Sequence, residues 1–398
     1  MARAGTAASA AGCSSQQGVD ASSRQSPISD AEAIELLQTL VEIPSLSGEE
    51  RAASEMLATW MSHHGMQAAV DESGSAVGII NGSAPADGVA YRDVVLLGHI
   101  DTVPGHIPVR IENCELWGRG SVDAKGSLAT FAAAAVGLEI PAGTRLIVIG
   151  ATEEEAASSR GAHHAAKCFK PRACVIGEPS SSGAVTIAYK GRLVVHITIN
   201  TGSAHSAGPE ATAAELAVEA WRVARSVAAE LAPGAASAFD QVQAKLRSVS
   251  SRSDGLFDMA DMHIGFRLPP GIDPFVLEQK FRDALAAEAL LTAEGTTLEL
   301  RATGHEYAHS GDPRSWLVAC FNGAIRDRGL RPRLLRKTGT SDMNVVARSW
   351  DCPIVAYGPG DSSLDHTPVE RLPIDEYIAA IATLRGALAS ILARVAAE

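Results

Sequence analysis

Four things are missing from this 398-residue sequence. No apolar run approaches the roughly 18 uncharged residues that a membrane span needs, which argues against a membrane role. Positive charge is in short supply: 34 Lys and Arg against 46 Asp and Glu leave a net charge of −12, the wrong sign for displacing counterions from a phosphate backbone, so nucleic acid is a poor partner. CxxC spacing is absent. Cys13, Cys114, Cys168, Cys174, Cys320 and Cys352 are scattered, so neither a disulfide framework nor a thiolate zinc site is indicated, and a reducing cytoplasm fits best. Finally, the small, polar residues 1–28 hold no apolar segment of the kind a secretory leader carries, which also counts against lipidation at Cys13. They read as a disordered tail, with too little Arg to support a transit peptide.

What is present is a chain 46% hydrophobic, able to bury a sizeable core and to form two domains. After the tail, "SDAEAIELLQTLVEIPS" has Ser29 or Asp30 as an N-cap and Ile34, Leu37, Leu40 and Val41 at helical spacing, ending before Pro44. Four apolar runs follow, each ending in a polar, ligand-capable loop: "VVLLGHID", "RLIVIGATEEE", "ACVIGEPS" and "PIVAYGPGDSSLDH". Continuous apolar runs suit strands buried on both faces, and we expect them to lie side by side and parallel. From about Gly191 to Gly304 the texture changes. "RLVVHITIN" alternates, "MADMHIGFRL", "TTLELRA" and a stretch near "FDQVQAKLRSV" read as strands, and two helices intervene, which gives the order β-α-β-β-α-β of a ferredoxin-like unit. The expected fold is therefore α/β. A catalytic domain of residues 29–190 and 305–398, with a mostly parallel sheet flanked by helices, carries an inserted α+β lid or dimerisation domain of residues 191–304.

The chemistry-bearing residues follow the buried runs. In "GHID", His99 and Asp101 are two apart, so both point to one side of an extended segment and the carboxylate can hold the imidazole tautomer. Asp123 in "GRGSVDAKG" follows a Gly-rich loop, where capping the helix that starts near Lys125 is the simpler reading. Glu153, Glu154 and Glu155 in succession repel one another unless a cation offsets the charge. Glu178 ends the run "ACVI", and His366 sits in a Gly- and Ser-rich loop, where a lone histidine is usually a surface residue. Those separate readings weaken together, because the carboxyl ends of parallel strands converge on one crevice. Two imidazoles and three carboxylates would meet there, a donor set suited to zinc, with one carboxylate able to bridge two ions.

In order, "GHIDTVPG", "GRGSVDAKGSLA", "TEEEAASSRGA", "IGEPS" and "GPGDSSLDHTPVE" resemble the motifs of the acetylornithine deacetylase and succinyl-diaminopimelate desuccinylase family of dinuclear zinc hydrolases. The resemblance runs from about Ser29 to the C-terminus. It implies two zinc ions per subunit, with cobalt able to substitute: His99 and Glu178 on one, Glu155 and His366 on the other, Asp123 bridging, and Asp101 orienting His99. It also implies that Glu154 is the general base, passing a proton from water to the leaving amine. Many relatives have Asp where this chain has Glu153. "GSAHSAGP" resembles the segment whose histidine, here His205, serves the tetrahedral oxyanion, often across a homodimer interface. "FRLPPG" resembles a strand whose arginine, here Arg267, binds a substrate carboxylate, and "KTGTSDMNVV" resembles a substrate loop with Thr340, Ser341 and Asp342.

Within that family the motifs look most like enzymes that release lysine or ornithine from an Nα-acyl form. These include enzymes whose substrate is carried by a small acidic amino-group carrier protein. The run "RDRGLRPRLLRK", with six cations against Asp327 just before the substrate loop, is placed to steer such a carrier, or is simply a solvated helix end and edge strand. Two other readings stand beside this one: a succinyl-diaminopimelate desuccinylase or dipeptidase with the same metal core, and a catalytically silent metal-binding or assembly protein.

Overall fold

The structure is a computed structural model that describes residues 26–86, 89–205 and 207–398; the tail expected over residues 1–28, with Cys13, lies almost wholly outside the described residues. Ser29 caps the first helix, Asp30–Glu42, accepting from the Glu32 N–H while the Glu32 carboxylate reaches back to the cap.

The four apolar runs become four neighbouring parallel strands. In the spatial order Thr144–Ala151, Arg92–His99, Ala173–Gly177 and Ile354–Ala356, they form the middle of a nine-stranded sheet. Antiparallel strands extend both sides: Ala76–Asn81 and Gln67–Val70 at one edge, Ala184–Tyr189 and His309–Ser310 at the other. The last strand, Arg333–Lys337, pairs parallel with Ala184–Tyr189, so the whole sheet is mixed around a parallel centre. Each central strand feeds two cores. Val94, Leu96 and Val175 pack under the helices Lys125–Ala135 and Ile374–Ala396, while Val95, Leu97 and Ile176 meet Ala162, Ala165 and Met343 on the other face. Helix Ile374–Ala396 has a mean hydropathy of 1.6 over its most apolar window and is long enough to cross a membrane. Here it is a core helix, with Tyr377, Leu384, Leu388 and Leu392 buried.

A second sheet has its own hydrophobic core. Its strands lie in the order Gln243–Ser253, Phe257–Leu268, Gly191–Gly202 and Thr297–Glu306, all antiparallel, with the helices Ala213–Leu231 and Pro274–Ala287 on one face. This is the ferredoxin-like order. Leu193, Val195, Ile197 and Ile199 are buried against the helices, and the intervening Arg192, Val194, His196 and Thr198 stay half-buried on the outer face. The chain crosses from the first sheet at Lys190 and returns after Glu306, two residues beyond Gly304.

Two devices bring the site's elements close together. Lys125 is fully buried, and its ammonium donates to the carbonyls of Leu40 (2.9 Å) and Ile43 (2.6 Å), tying the helix behind Asp123 to the end of the first helix. Gly98 and Gly177, one residue before His99 and Glu178, lie back to back under that helix: a Cβ on Gly177 would sit 2.8 Å from the Gly98 Cα and 3.0 Å from Phe131. Gly177→Val should therefore overpack the layer and cost about 1–3 kcal/mol, read as a lower denaturant midpoint. An unchanged midpoint would show that the helix does not depend on that close approach.

Candidate active site

The site is built around Asp101, whose carboxylate has no solvent exposure. It accepts hydrogen bonds from the Glu154 N–H (3.1 Å), the Glu155 N–H (3.0 Å) and the Ser47 hydroxyl (2.7 Å). The acidic turn is thus hung on another acid through its backbone donors, and Glu153 enters it with a φ of 61°. Glu50 assists by accepting the Glu153 N–H at 3.1 Å. His99 Nδ1 lies 3.0 Å from the Asp101 carbonyl, which can only accept, so Nδ1 carries a proton and Nε2 faces the site.

Asp123 does not cap the helix Lys125–Ala135. Ala124 is at the N-cap and makes no side-chain bond, while the Asp123 carboxylate points to the two imidazoles. One oxygen is 3.3 Å from His99 Nε2 and the other 3.0 Å from His366 Nε2, which also lies 2.9 Å from Glu155 Oε1. These are contacts between atoms that all ligate cations. Two donors each about 2.0–2.2 Å from a tetrahedral ion stand roughly 3.4 Å apart, so separations of 2.9–3.3 Å suit a shared cation after a small opening. Asp123, Glu155 and His366 form one such group and His99, Glu154 and Glu155 another. Glu178 is buried and lines the same cleft but belongs to neither group, where the resemblance would pair it with His99.

The electrostatics reflect a buried cluster of acids interleaved with two imidazoles. Burial pushes Glu154 well above the usual carboxylate range, and Glu178 and Asp342 add to it. Burial and Asp123 push Glu178 up to about 8. Asp123 goes the other way: despite burial, hydrogen bonds from His366 and His99 hold it well below its ordinary value. Burial works against His99 too, but Asp101 and Asp123 keep its imidazolium favoured, and hydrogen bonds to Asp123 and Glu155 push His366 up to about 10.

The remaining expected residues separate into near and far. Arg267 and Thr340 line the cleft and bond to each other at 2.9 Å across the gap between the two sheets. Ser341 is committed to capping the short helix Asp342–Val346, and Asp342 is buried with both carboxylate oxygens unpartnered. His205 is exposed beyond the end of strand Gly191–Gly202, whose Arg192 end lines the cleft. The strand's eleven steps of about 3.3 Å set its two ends roughly 36 Å apart, and His205 lies beyond the far one.

Several contributors had no assigned role. Glu370, the last residue of "GPGDSSLDHTPVE", is wholly buried, accepts the N–H groups of Val122 (3.0 Å) and Asp123 (3.1 Å), and pairs with Arg119 at 2.6 Å. It holds the Asp123 loop as Asp101 holds the glutamates. Opposite the acids, Arg192, Lys245 and Arg247 join Arg267 on the cleft wall. Arg247 is the extra residue of a β-bulge between Leu246 and Ser248, laid against Gly265. Arg336 of the basic run is occupied within the chain, bonding Asp240 at 2.8 Å and covering the Phe239 ring, while Arg331 and Arg333 are exposed.

A doubly covered α/β sheet with a His and carboxylate cluster at the carboxyl ends of its parallel strands, facing an inserted antiparallel sheet, is the architecture of a metal-dependent hydrolase. The profile of peptidase family M20/M25/M40 matches residues 95–390, and the chain belongs to that family. It is 46% identical over 373 residues to the LysW-lysine hydrolase of Deinococcus radiodurans, covering 92% of this chain and 99% of that protein. The LysW-lysine/LysW-ornithine hydrolase of Sulfurisphaera tokodaii is 28% identical over 365 residues, covering 89% and 94%. Among solved structures, a Staphylococcus aureus tripeptidase superposes with a TM-score of 0.74 at 16% identity, covering 93% of this chain and all of that one. The aminopeptidase PepT of Bacillus cereus gives 0.70 at 18% identity, covering 92% and 100%; these two likenesses show the fold alone.

With metal chelated, the cluster has a definite pH dependence. Glu178 binds its proton more tightly folded than unfolded, so its stabilising contribution is complete below about 4.3 and lost as pH rises through about 8. His366 acts with the same sign between about 6.5 and 10. Denaturant midpoints taken with chelator present should fall steadily across that span, and Glu178→Gln should flatten the lower half. An identical slope in the variant would remove Glu178 from the cluster.

Proposed function

We propose that this chain is a metal-dependent amidohydrolase releasing lysine or ornithine from an Nα-acylated precursor, the acyl part being the carrier that its relatives' names call LysW. The 46% identity over nearly the whole chain supports the substrate class. The observation in the site that carries the chemistry is Glu154, a glutamate pushed up by burial and set beside the candidate ligands His99 and Glu155.

Two zinc ions are proposed, with cobalt able to substitute: His99 and Glu178 would hold one, Glu155 and His366 the other, and Asp123 both, since each of its oxygens faces a different imidazole. Bound there, the ions would bring water's pKa near about 7 and polarise the scissile carbonyl. The chain's own residues do the rest. Asp101 fixes the His99 tautomer and the acidic turn, so Glu154 stands ready to take the proton of the attacking water and return it to the leaving amine. Arg267, now held by Thr340, exchanges that partner for the substrate carboxylate. His205, exposed beyond the far end of its strand, would serve the tetrahedral oxyanion from a second copy of the chain in a homodimer.

Glu154→Gln tests the assignment, because the amide is nearly isosteric but cannot accept the proton. The variant should keep its metal, measured by elemental analysis, and lose about 10²–10⁴ in kcat. Loss of metal instead would make Glu154 a ligand. For the carrier, neutralising the exposed Arg331 and Arg333 should raise KM for carrier-linked lysine and flatten its salt dependence, since steering is screened over about 8 Å at physiological ionic strength. Free acetyl-lysine should be hydrolysed as before; equal losses on both substrates would sink the docking role.

A further inference from the structure

One segment of the second sheet's unit does not stay with that unit. Between helix Ala213–Leu231 and strand Gln243–Ser253 the chain dips back onto the first sheet, and Phe239 is buried in the core that contains Val185, Ile187 and Tyr357. The two units are therefore joined at a third place besides the crossings at Lys190 and Tyr307. Lys190 is the centre of this junction. It is wholly buried, and its ammonium spends all three donors on the segment: the carbonyls of Ala238 (3.0 Å) and Gln241 (2.5 Å) and the side-chain oxygen of Gln243 (3.0 Å). Its backbone faces the other way. The Lys190 N–H donates to the Lys337 carbonyl at 3.2 Å, and its carbonyl accepts from Asn344 Nδ2 at 3.1 Å, which also donates to the Tyr307 carbonyl at 2.7 Å.

The position of that segment matters because Gln243 opens the strand that carries Lys245 and Arg247 into the cleft. Asn344 lies on the helix capped by Ser341, next to Thr340 and its bond to Arg267. Arg336 reinforces the same segment through Asp240 and the Phe239 ring. A buried ammonium with no carboxylate partner is an expensive way to hold a loop, and a hydrophobic residue would fill the space at less cost. Three carbonyl-type acceptors converging from one segment explain the choice: an ammonium carries three donors on one atom and satisfies all three at once.

We propose that Lys190 is a positioning residue for substrate binding: by fastening residues 238–243 to the first sheet, it sets the cationic wall of Lys245 and Arg247 at its working distance from the carboxylate cluster. It touches neither metal ligands nor reacting atoms. Its loss should therefore act on the occupancy of the cleft and leave the chemical step and the metal alone.

The test compares the zinc-loaded, full-length protein with Lys190→Met, and with Gln243→Ala as the milder variant should the first fail to fold. Hydrogen exchange at residues 238–243 should quicken by about tenfold or more. KM for carrier-linked lysine should rise by about tenfold, with kcat and the zinc affinity from chelator competition each within about twofold. The KM readout rests on the function proposed above, whereas the exchange readout does not, so failure of the two ideas is distinguishable. Unchanged exchange in both variants would overturn the proposal, and so would a loss of zinc affinity and kcat with KM unmoved.

Discussion

A single buried carboxylate organises this molecule's chemistry. Asp101 is walled off from water, yet it satisfies two backbone donors of the glutamate turn, a serine from the first loop and the flank of His99. Backbone N–H groups are the right partners for it, because they stabilise the anion without adding a mobile countercharge. Remove that acceptor and two peptide groups are left buried and unpaired, while the turn that aims Glu154 and Glu155 loses its reason to stay folded. Glu370 repeats the solution for the Asp123 loop, bonding two successive N–H groups while Arg119 balances its charge. The acids facing the cleft are thus held by acids behind them, and the backbone lies between.

This layering concentrates negative charge far beyond what the chain's average of −12 over 398 residues would suggest. It is tolerable for two reasons. Imidazoles interleave with the carboxylates at the front, and the opposite wall of the cleft carries arginines and a lysine. The walls belong to different sheets, so the field across the gap depends on how those sheets are held together. A substrate entering it meets acids that handle a cation and a proton on one side, and donors for an anionic group on the other.

Much of this was legible in the sequence, for identifiable reasons. Strands buried on both faces must be apolar at every position, so the four central strands announced themselves, and the polar residues directly after them could only be at one edge of the sheet. The ferredoxin-like unit was readable from its alternation. Asp123 was not readable from its own neighbourhood. A carboxylate two residues before a helix has the local signature of a cap, and only the tertiary approach of His99 and His366 turns it elsewhere. Arg247 sits where a bulge breaks the strand's alternation, so its place on the cleft wall cannot be read from the period of the sequence. Glu370 sat inside a recognised motif, but its partners lie some 250 residues away along the chain and no periodicity points to them. Phe239 opens a stretch that reads as a strand, whereas the strand begins only at Gln243, and nothing local says whose core the ring joins.

That last residue bears on how such an insertion can be inherited. An inserted unit joined only by two crossings is a cassette, removable by sealing the gap, and free to drift in sequence so long as its own interior packs. This one is not. Because Phe239 completes the interior of the host, cutting out residues 191–304 would leave a hole in the sheet's underside as well as an absent wall. Host and guest are therefore coupled across that plug, and grafting a different guest would have to transplant the socket along with it.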